Sequence, residues 1–366
     1  MKPLPRPDGK ALPADSRVHN LTLVLRKLFF DGPLSRADLA TATGLTRVTV
    51  SDLVAELLSQ NLVLELSKRV KGRTGRPATP VVFNPDAYSI VALDLSDTRN
   101  IRGALVNLSG QIVHRRVDDI DSVRGENALS RVNAMVAELV GKATQPILGI
   151  GVGSPGIVDP YGNLLAEAYF GWTGVNLADV ISKEHQLPCH VANDANVAAL
   201  AETIFAGARG QSLLTLVLAH GIGAGLVIDG SLVQGSGFAA GEIGHVVADE
   251  SGAPCGCGRR GCLETFISLP ALEKLAGDSP SLADVGWKTG CVLAPIVGAL
   301  NLDEIVLVAP PELVLGSFLI SMKGAITVHT LPSLTEKLDL RVSSLGQDAT
   351  LIGAAALVSA EELNLL

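Results

Sequence analysis

The stretch Gly241–Glu264, GEIGHVVADESGAPCGCGRRGCLE, governs how the rest of the chain is read. It gathers His245, Cys255, Cys257 and Cys262 into one short segment, with Glu242 and Glu264 at its two ends. Imidazole and thiolate are the ligands Zn²⁺ prefers, and four of them close a tetrahedral structural site. The Cys-x-Cys-x4-Cys spacing differs from the usual pair of CxxC knuckles. Gly256, Gly258 and Gly261 compensate, because they let a tight loop fold back until three sulfurs reach one ion. The same residues also read as a few buried thiols in a Gly-rich turn; ligand chemistry favours Zn²⁺.

Around this loop lies a chain of 366 residues, long enough for two or three domains. A hydrophobic content of 47% against 18% charged residues is that of a globular protein. No apolar run is long enough to span a bilayer, and the opening MKPLPRPDGKALPAD lacks the apolar core of a secretory signal. Five cysteines, three of them in the loop, suit metal binding in a reducing cytoplasm better than a disulfide framework. Charge is unevenly spread. Residues 1–86 carry 13 Lys and Arg against 8 Asp and Glu, whereas the whole chain carries 29 against 37. A basic front on an acidic body implies that only the front meets a polyanion.

Residues 1–14 read as a flexible, Pro-rich arm, and residues 15–86 as a winged helix-turn-helix. A first helix runs through RVHNLTLVLRKLFF, with Val18, Leu21, Leu25, Leu28 and Phe29 on its apolar face, and Asp31-Gly32-Pro33 stops it. Ser35 caps a short helix, RADLATAT. Gly44 turns the chain, and Thr46 caps a third helix, RVTVSDLVAELLSQ. On that helix Val48, Leu53, Leu57 and Leu58 are expected inside, and Arg47, Thr49, Ser51 and Asp52 outside. Thr46, Arg47, Thr49 and Ser51 would then face base edges in the major groove of double-stranded DNA. Two strands, Leu62–Leu66 and Thr79–Phe83, flank a basic loop with Lys68, Arg69, Lys71, Arg73 and Arg76. This is the wing, and Arg73 and Arg76 suit a narrow minor groove. Separately, these signals fit an ordinary helical bundle and a solvated loop; in this order they point to DNA binding.

Residues 87–366 alternate strands and helices, which predicts an α/β protein with ligands at strand ends. Strands are expected near Ile90–Leu95, Ile101–Leu108, Gln111–Val117, Ile147–Gly153, Cys189–Ala192, Leu213–Leu218, Leu226–Ile228 and Ile305–Val308, with a loop at His220–Gly225. Helices are expected near Asn127–Lys142, Leu177–His185, Asn193–Phe205, Glu264–Leu275 and Leu351–Leu363.

The motifs VALDLSDTRNIRGALVNLSG, GVGSPGIVD, NDAN, GIGAGLVIDGSLVQG, GEIGH, CGCGRRGCLE and LIGAA occur in this order. Together they resemble the ROK family, named for repressors, open reading frames and sugar kinases. With a winged helix in front, the chain resembles its transcription-regulator branch from residue 17 to residue 366. The resemblance implies an actin-like, ribonuclease-H-like sugar-kinase fold of two α/β lobes around a cleft, following the N-terminal winged helix-turn-helix. It implies Zn²⁺ on His245, Cys255, Cys257 and Cys262. It also implies sugar contacts at Asn193, Asp194, Glu242, His245 and Glu264. Carboxylates accept hydrogen bonds from sugar hydroxyls, and a His that ligates Zn²⁺ through one nitrogen keeps the other for the ligand. As plain residues, Asn193 and Asp194 also read as a helix cap, and Glu264 as a carboxylate beside a helix dipole.

In kinase members the aspartate matching Asp194 deprotonates the sugar hydroxyl. The nucleotide side departs from the kinase pattern. Asp94-Leu95-Ser96-Asp97-Thr98 lacks the kinase glycines, His220 stands where kinases carry Thr, and Ala309-Pro310-Pro311 replaces a Gly-rich adenosine loop. An Asn that precedes the Trp matching Trp172 is also missing; the stretch reads Ala168-Tyr169-Phe170-Gly171-Trp172. These features lead to a cytoplasmic, zinc-containing, sugar-responsive regulator that binds an operator as a homodimer or homotetramer, with Asp194 a vestigial base and no catalytic residue. A sugar kinase with an appended DNA-binding domain is the alternative. A third reading has a protein as effector.

Overall fold

The computed structural model describes residues 16–66, 79–97, 99–167, 169–208 and 210–365. The N-terminal arm and the expected wing loop, with Lys68, Arg69, Lys71, Arg73 and Arg76, lie outside the described residues.

The front consists of α1 (Ser16–Asp31), β1 (Leu34–Ser35), α2 (Arg36–Thr43), α3 (Arg47–Ser59), β2 (Val63–Glu65) and β3 (Pro80–Phe83). The strands form one sheet in the order β1-β3-β2. Ser35 caps α2 in a reciprocal capping box with Asp38, and Gly44 ends it in the left-handed region at φ 69°. Leu25 and Leu28 of α1 pack on Val50, Leu53, Val54 and Leu57 of α3. Burying each such side chain is worth about 1.5–3 kcal/mol. Two expectations fail here. Val18 is 69% exposed and Val48 is 72% exposed. Both sit at the first turn of their helices, ahead of the stripe that meets the core; on α3 that stripe begins at Val50.

The body is built from two sheets of the same plan. In the first lobe, β4 (Ser89–Asp94), β5 (Asn100–Asn107) and β6 (Ile112–Asp119) form an antiparallel meander. Helix α4 (Gly125–Lys142) then leads to β7 (Ile147–Ser154). A small hairpin, β8 (Ile157–Val158) with β9 (Leu164–Ala166), and α5 (Leu177–His185) lead to β10 (Cys189–Asn193). The sheet order is β10-β7-β4-β5-β6, with β10, β7 and β4 parallel. From β10 the chain enters α6 (Asp194–Ile204) and crosses to the second lobe.

There β11 (Leu213–Leu218), β12 (Ile222–Ile228) and β13 (Ser231–Leu232) repeat the meander. The cysteine loop, α7 (Glu264–Ile267), α8 (Leu269–Glu273) and α9 (Ser279–Leu300) precede β14 (Glu304–Val308). Helices α10 (Pro311–Val314), α11 (Ser317–His329) and α12 (Pro332–Thr335) precede β15 (Asp339–Val342). The order β13-β12-β11-β14-β15, with β11, β14 and β15 parallel, matches that of the first lobe. Finally α13 (Ala349–Leu363) returns to the first sheet.

Two expected elements are revised. The Gly221–Gly225 segment is mostly strand, since β12 starts at Ile222 and pairs with β11 throughout. The helix expected over Glu264–Leu275 breaks at Ser268, because Pro270 in the next turn has no N–H to continue the ladder.

Helices α6 and α13 lie against each other between the sheets. Their contact depends on having no side chain at chosen points. A Cβ on Gly353 of α13 would run into the Val197 carbonyl of α6, and one on Gly225 of β12 into the Ala195 carbonyl. The core of the front is continuous with the first lobe, from Val81 and Phe83 through Ala87 and Ile90 to Val358. Phe29 of α1 meets Phe83 at 5.0 Å and Phe205, just past α6, at 6.3 Å. Gly353→Val should therefore cost on the order of 3 kcal/mol. Gly298→Ala, in α9 where a Cβ meets nothing within 4 Å, should stabilise by up to about 1 kcal/mol. Chemical denaturation of the two variants checks this; equal stabilities would refute the close-packing argument.

Candidate functional site

A cleft of about 810 Å³ opens between the lobes. Strand β10 ends in Asn193 and α6 starts at Asp194, so both side chains arrive at its floor. The loop after β13 and the start of α7 bring Glu242, His245 and Glu264 to the same cleft. All five residues expected to touch a ligand are thus brought together.

They do not all play one part. The Asn193 side chain accepts from the Ala195 and Asn196 amides, at 3.0 and 3.1 Å, and donates to the Gly156 carbonyl at 3.0 Å. It is the α6 cap and a tie to the loop after β7. The Asp194 carboxylate accepts from the Ala195 amide at 2.8 Å. Burial, with the Asp94 and Glu242 carboxylates nearby, pushes its pKa up to about 7.

The cysteine loop is folded by backbone contacts. The Cys255 amide donates to the Arg259 carbonyl at 2.8 Å, and short bridges pair Val247 with Cys262 and Pro254 with Arg260. Gly261 is at φ 66°, where a Cβ would strike the Asp249 carbonyl. Lys288 of α9 anchors the loop from outside, 3.6 Å from Asp249 and 5.0 Å from the Phe266 ring centroid.

The ligand atoms of His245, Cys255, Cys257 and Cys262 lie within 4.8 Å of one another. Cys257 Sγ is 3.6 Å from Cys262 Sγ, and Cys255 Sγ is 3.5 Å from His245 Nδ1. Tetrahedral bonds of about 2.3 Å to sulfur and 2.0–2.1 Å to nitrogen imply edges of roughly 3.5–3.8 Å, so the donor set fits Zn²⁺. Hydrogen bonding from the Arg259 amide, with Cys255 beside it, lowers the Cys257 thiol to about 7, while burial and the Glu264 contact push Cys255 up. The Cys255 thiol donates to Glu264 Oε1 at 2.8 Å, and His245 Nε2 stands 3.9 Å from Glu242 Oε2. One cluster therefore lies against two of the carboxylates that line the cleft, Glu242 and Glu264.

Beside Ser96 and His220, which line the cleft, polar and charged groups pair with one another. Asp94, fully buried, is held by Arg102 and by the Ser96 amide and hydroxyl. Arg99, from the β4–β5 turn, meets His220, from the β11–β12 turn, at 3.3 Å. The residue that sequence reasoning passed over is Glu167. Buried between β9 and Trp172, its carboxylate accepts from the backbone amides of Tyr169, Phe170 and Trp172. A lone Glu before an aromatic run gives no sequence signal for this role.

On the front, Thr46 caps α3 by accepting from the Thr49 amide at 3.2 Å, and Ser51 donates to the Arg47 carbonyl at 2.8 Å. Thr46, Arg47, Val48 and Ser51 are exposed and Thr49 is half-buried, so the five share one corner of the front. Val48 was missed as a surface residue because its apolar side chain reads as core.

No helix among the described residues is long and apolar enough to cross a membrane. Comparison with known proteins gives a family match and whole-chain relatives. The xylose repressor of Bacillus spizizenii is 28% identical over 93% of this chain and 94% of its own. The glucokinase of Halalkalibacterium halodurans is 30% identical over 95% of itself but only 74% of this chain, leaving about a quarter of the chain without a counterpart. A solved ROK-family transcriptional regulator, a homologue of the Escherichia coli Mlc protein, superposes with a TM-score of 0.82 at 25% identity, covering 95% of this chain and 97% of its own. The ROK family model matches residues 90–361, and the chain belongs to the ROK family.

Proposed function

We propose that this chain is a sugar-responsive transcriptional repressor. Residues 15–86 bind a double-stranded operator, and residues 87–366 sense a sugar in the interlobe cleft. The observation that carries this reading is the combination of an exposed helix start, Thr46 to Ser51, with a carboxylate-lined cleft in one continuous core. The xylose repressor matched along nearly the whole chain supports it. The protein works in the cytoplasm as a homodimer or homotetramer on a near-palindromic site. Arg73 and Arg76 add phosphate or minor-groove contacts from the wing.

Coupling runs through α6. Its first residue faces the cleft, and the ring just past its last residue touches Phe29 of the front. Over 11 residues the helix spans about 16 Å as one rigid rod. A sugar held by Asp194 from one lobe and by Glu242, His245 and Glu264 from the other favours one lobe arrangement, and α6 passes the shift to the front.

Zn²⁺, held by His245, Cys255, Cys257 and Cys262, would supply a fixed four-way junction. The chain's own part is to aim Glu242, the free His245 nitrogen and Glu264 at the ligand. Sugar phosphorylation is the second reading; the raised carboxyl of Asp194 suits a general base, and a glucokinase is among the relatives. The Arg99–His220 and Asp94–Arg102 pairs weigh against it.

Protein purified without chelator should carry about one zinc per chain, and chelation or Cys257→Ser should lower the melting temperature and weaken sugar binding. Elemental analysis that finds none, together with indifference to chelator, would refute the zinc assignment.

In gel shifts, Arg47→Ala should cost about 1–3 kcal/mol of discrimination at one base pair, whereas Arg73→Ala should weaken binding to all sequences and reduce its salt dependence. Absence of sequence-specific binding by the wild type would overturn the repressor reading.

Asp194 ionises near 3.9 when unfolded and near 7 when folded, so the folded state holds its proton more tightly. Its contribution to stability therefore falls as pH rises from about 4 to about 7 and is level above that. Asp194→Asn should remove this fall in a melting profile, and an unchanged profile would exclude Asp194 as its source. ADP release with any sugar, lost in Asp194→Asn, would establish the kinase reading instead.

A further inference from the structure

We infer that the cleft takes an uncharged sugar rather than a sugar phosphate, and that Tyr169 is the platform on which one face of the sugar ring stacks. The inference rests on the sugar-sensing reading above and narrows its ligand class.

Charge gives the first half. Among the described residues no Lys or Arg lines the cleft, while Glu167, Asp194, Glu242 and Glu264 do. Of the guanidinium groups near the cleft, Arg102 pairs with Asp94, Arg99 with His220, and Arg124 lies over the Tyr169 ring. A helix N-terminus is a natural anion site, and that of α6 opens on the cleft. Its Ala195 and Asn196 amides are already bound by Asn193 and Asp194. A phosphate placed here would meet like charges and find no unengaged cationic partner, which costs affinity twice over. Neutral hydroxyls suit Asp194, Glu242 and Glu264, because each hydroxyl can donate to a carboxylate oxygen.

The second half comes from the loop after β9. Tyr169 lines the cleft, and its position is over-determined. The Glu167 carboxylate accepts from its backbone amide at 2.5 Å, and the Phe170 ring meets its ring at 4.9 Å and 85°. The Arg124 guanidinium lies 4.4 Å from the Tyr169 ring centroid. Arg124 is not among the residues that line the cleft. A rigid aromatic wall facing a row of carboxylates is the arrangement a sugar needs. Its C–H face packs on the ring, and its hydroxyl edge points at Asp194, Glu242 and Glu264.

Equilibrium binding to the full-length protein tests both halves, with D-xylose, D-glucose and N-acetyl-D-glucosamine as probes beside the 6-phosphates of the two hexoses. At least one free sugar should bind, and each 6-phosphate should bind at least tenfold more weakly than its parent. Tyr169→Ala should weaken the free sugar about tenfold, while Tyr169→Phe, which keeps the ring and the loop, should bind like wild type. Melting temperatures without ligand separate lost stacking from lost folding. A 6-phosphate that binds more tightly than its parent overturns the charge argument. A Tyr169→Ala variant that binds like wild type, or a Tyr169→Phe variant as weak as Tyr169→Ala, overturns the platform. If no free sugar binds while operator binding persists, the sugar-sensing reading itself falls and takes this inference with it.

Discussion

The structure depends on how closely α6 and α13 approach each other. Each lobe is a five-stranded sheet of the same plan, and each sheet hands one helix to the interface. Gly353 lets the Val197 carbonyl of α6 press on α13. Gly151 of β7 does the same for the Ala354 carbonyl, and Gly225 of β12 for that of Ala195. Sheet, helix, helix and sheet are thus stacked with main chain against main chain. Packed this tightly, the spine cannot deform gradually, and relative motion of the lobes becomes a choice between discrete arrangements. Buried charge reinforces it. Glu202 of α6 is fully buried and paired with Arg341 of β15, which also binds Glu304 of β14. Breaking such a group costs more than the net worth of the pairs, so α6 is tied to the second sheet as well as to α13.

That tie gives the cleft its division of labour. The lobe-one wall, with Tyr169 on a loop held by Glu167, is rigid through hydrogen bonds. The lobe-two wall is rigid only as far as the cysteine loop is. Its fold rests on a few backbone bonds, Lys288 and the convergence of four metal-type ligands. The thiol of Cys255 touches Glu264 directly, so the state of the cluster and the position of a ligand-facing carboxylate are one question.

Much of this was legible because certain residues permit few alternatives. The cysteine loop, the Ser35 and Thr46 caps, and Asn193-Asp194 at a strand-to-helix turn each encode one local geometry. Illegible parts share a different cause, since side chains there are assigned by tertiary contact. Gly221–Gly225 reads as a loop, yet Gly223 and Gly225 make room for α6 along a strand. Val48 looks like core, yet the helix turns it outward. Helices α9 and α11 of the second lobe are apolar on most sides because they pack on each other as well as on the sheet, which erases the periodicity that marks a surface helix. Glu167 reads as a surface acid and is a buried clasp.

Asp194 sits in the cleft near charged groups that bind one another. Catalysis of phosphoryl transfer is positioning and charge stabilisation around a nucleotide. Here two guanidinium groups near the cleft are paired within the chain. Arg102 neutralises Asp94 within one lobe, and Arg99 reaches His220 across the cleft mouth. The second contact joins the two lobes. A sugar can bias the two arrangements only by the difference in its affinity for them. Residues from both lobes line the cleft, so a ligand there would touch both. Helix α6 runs from the cleft towards Phe29 of the front, so under the proposed function a bound sugar would act on the front through it.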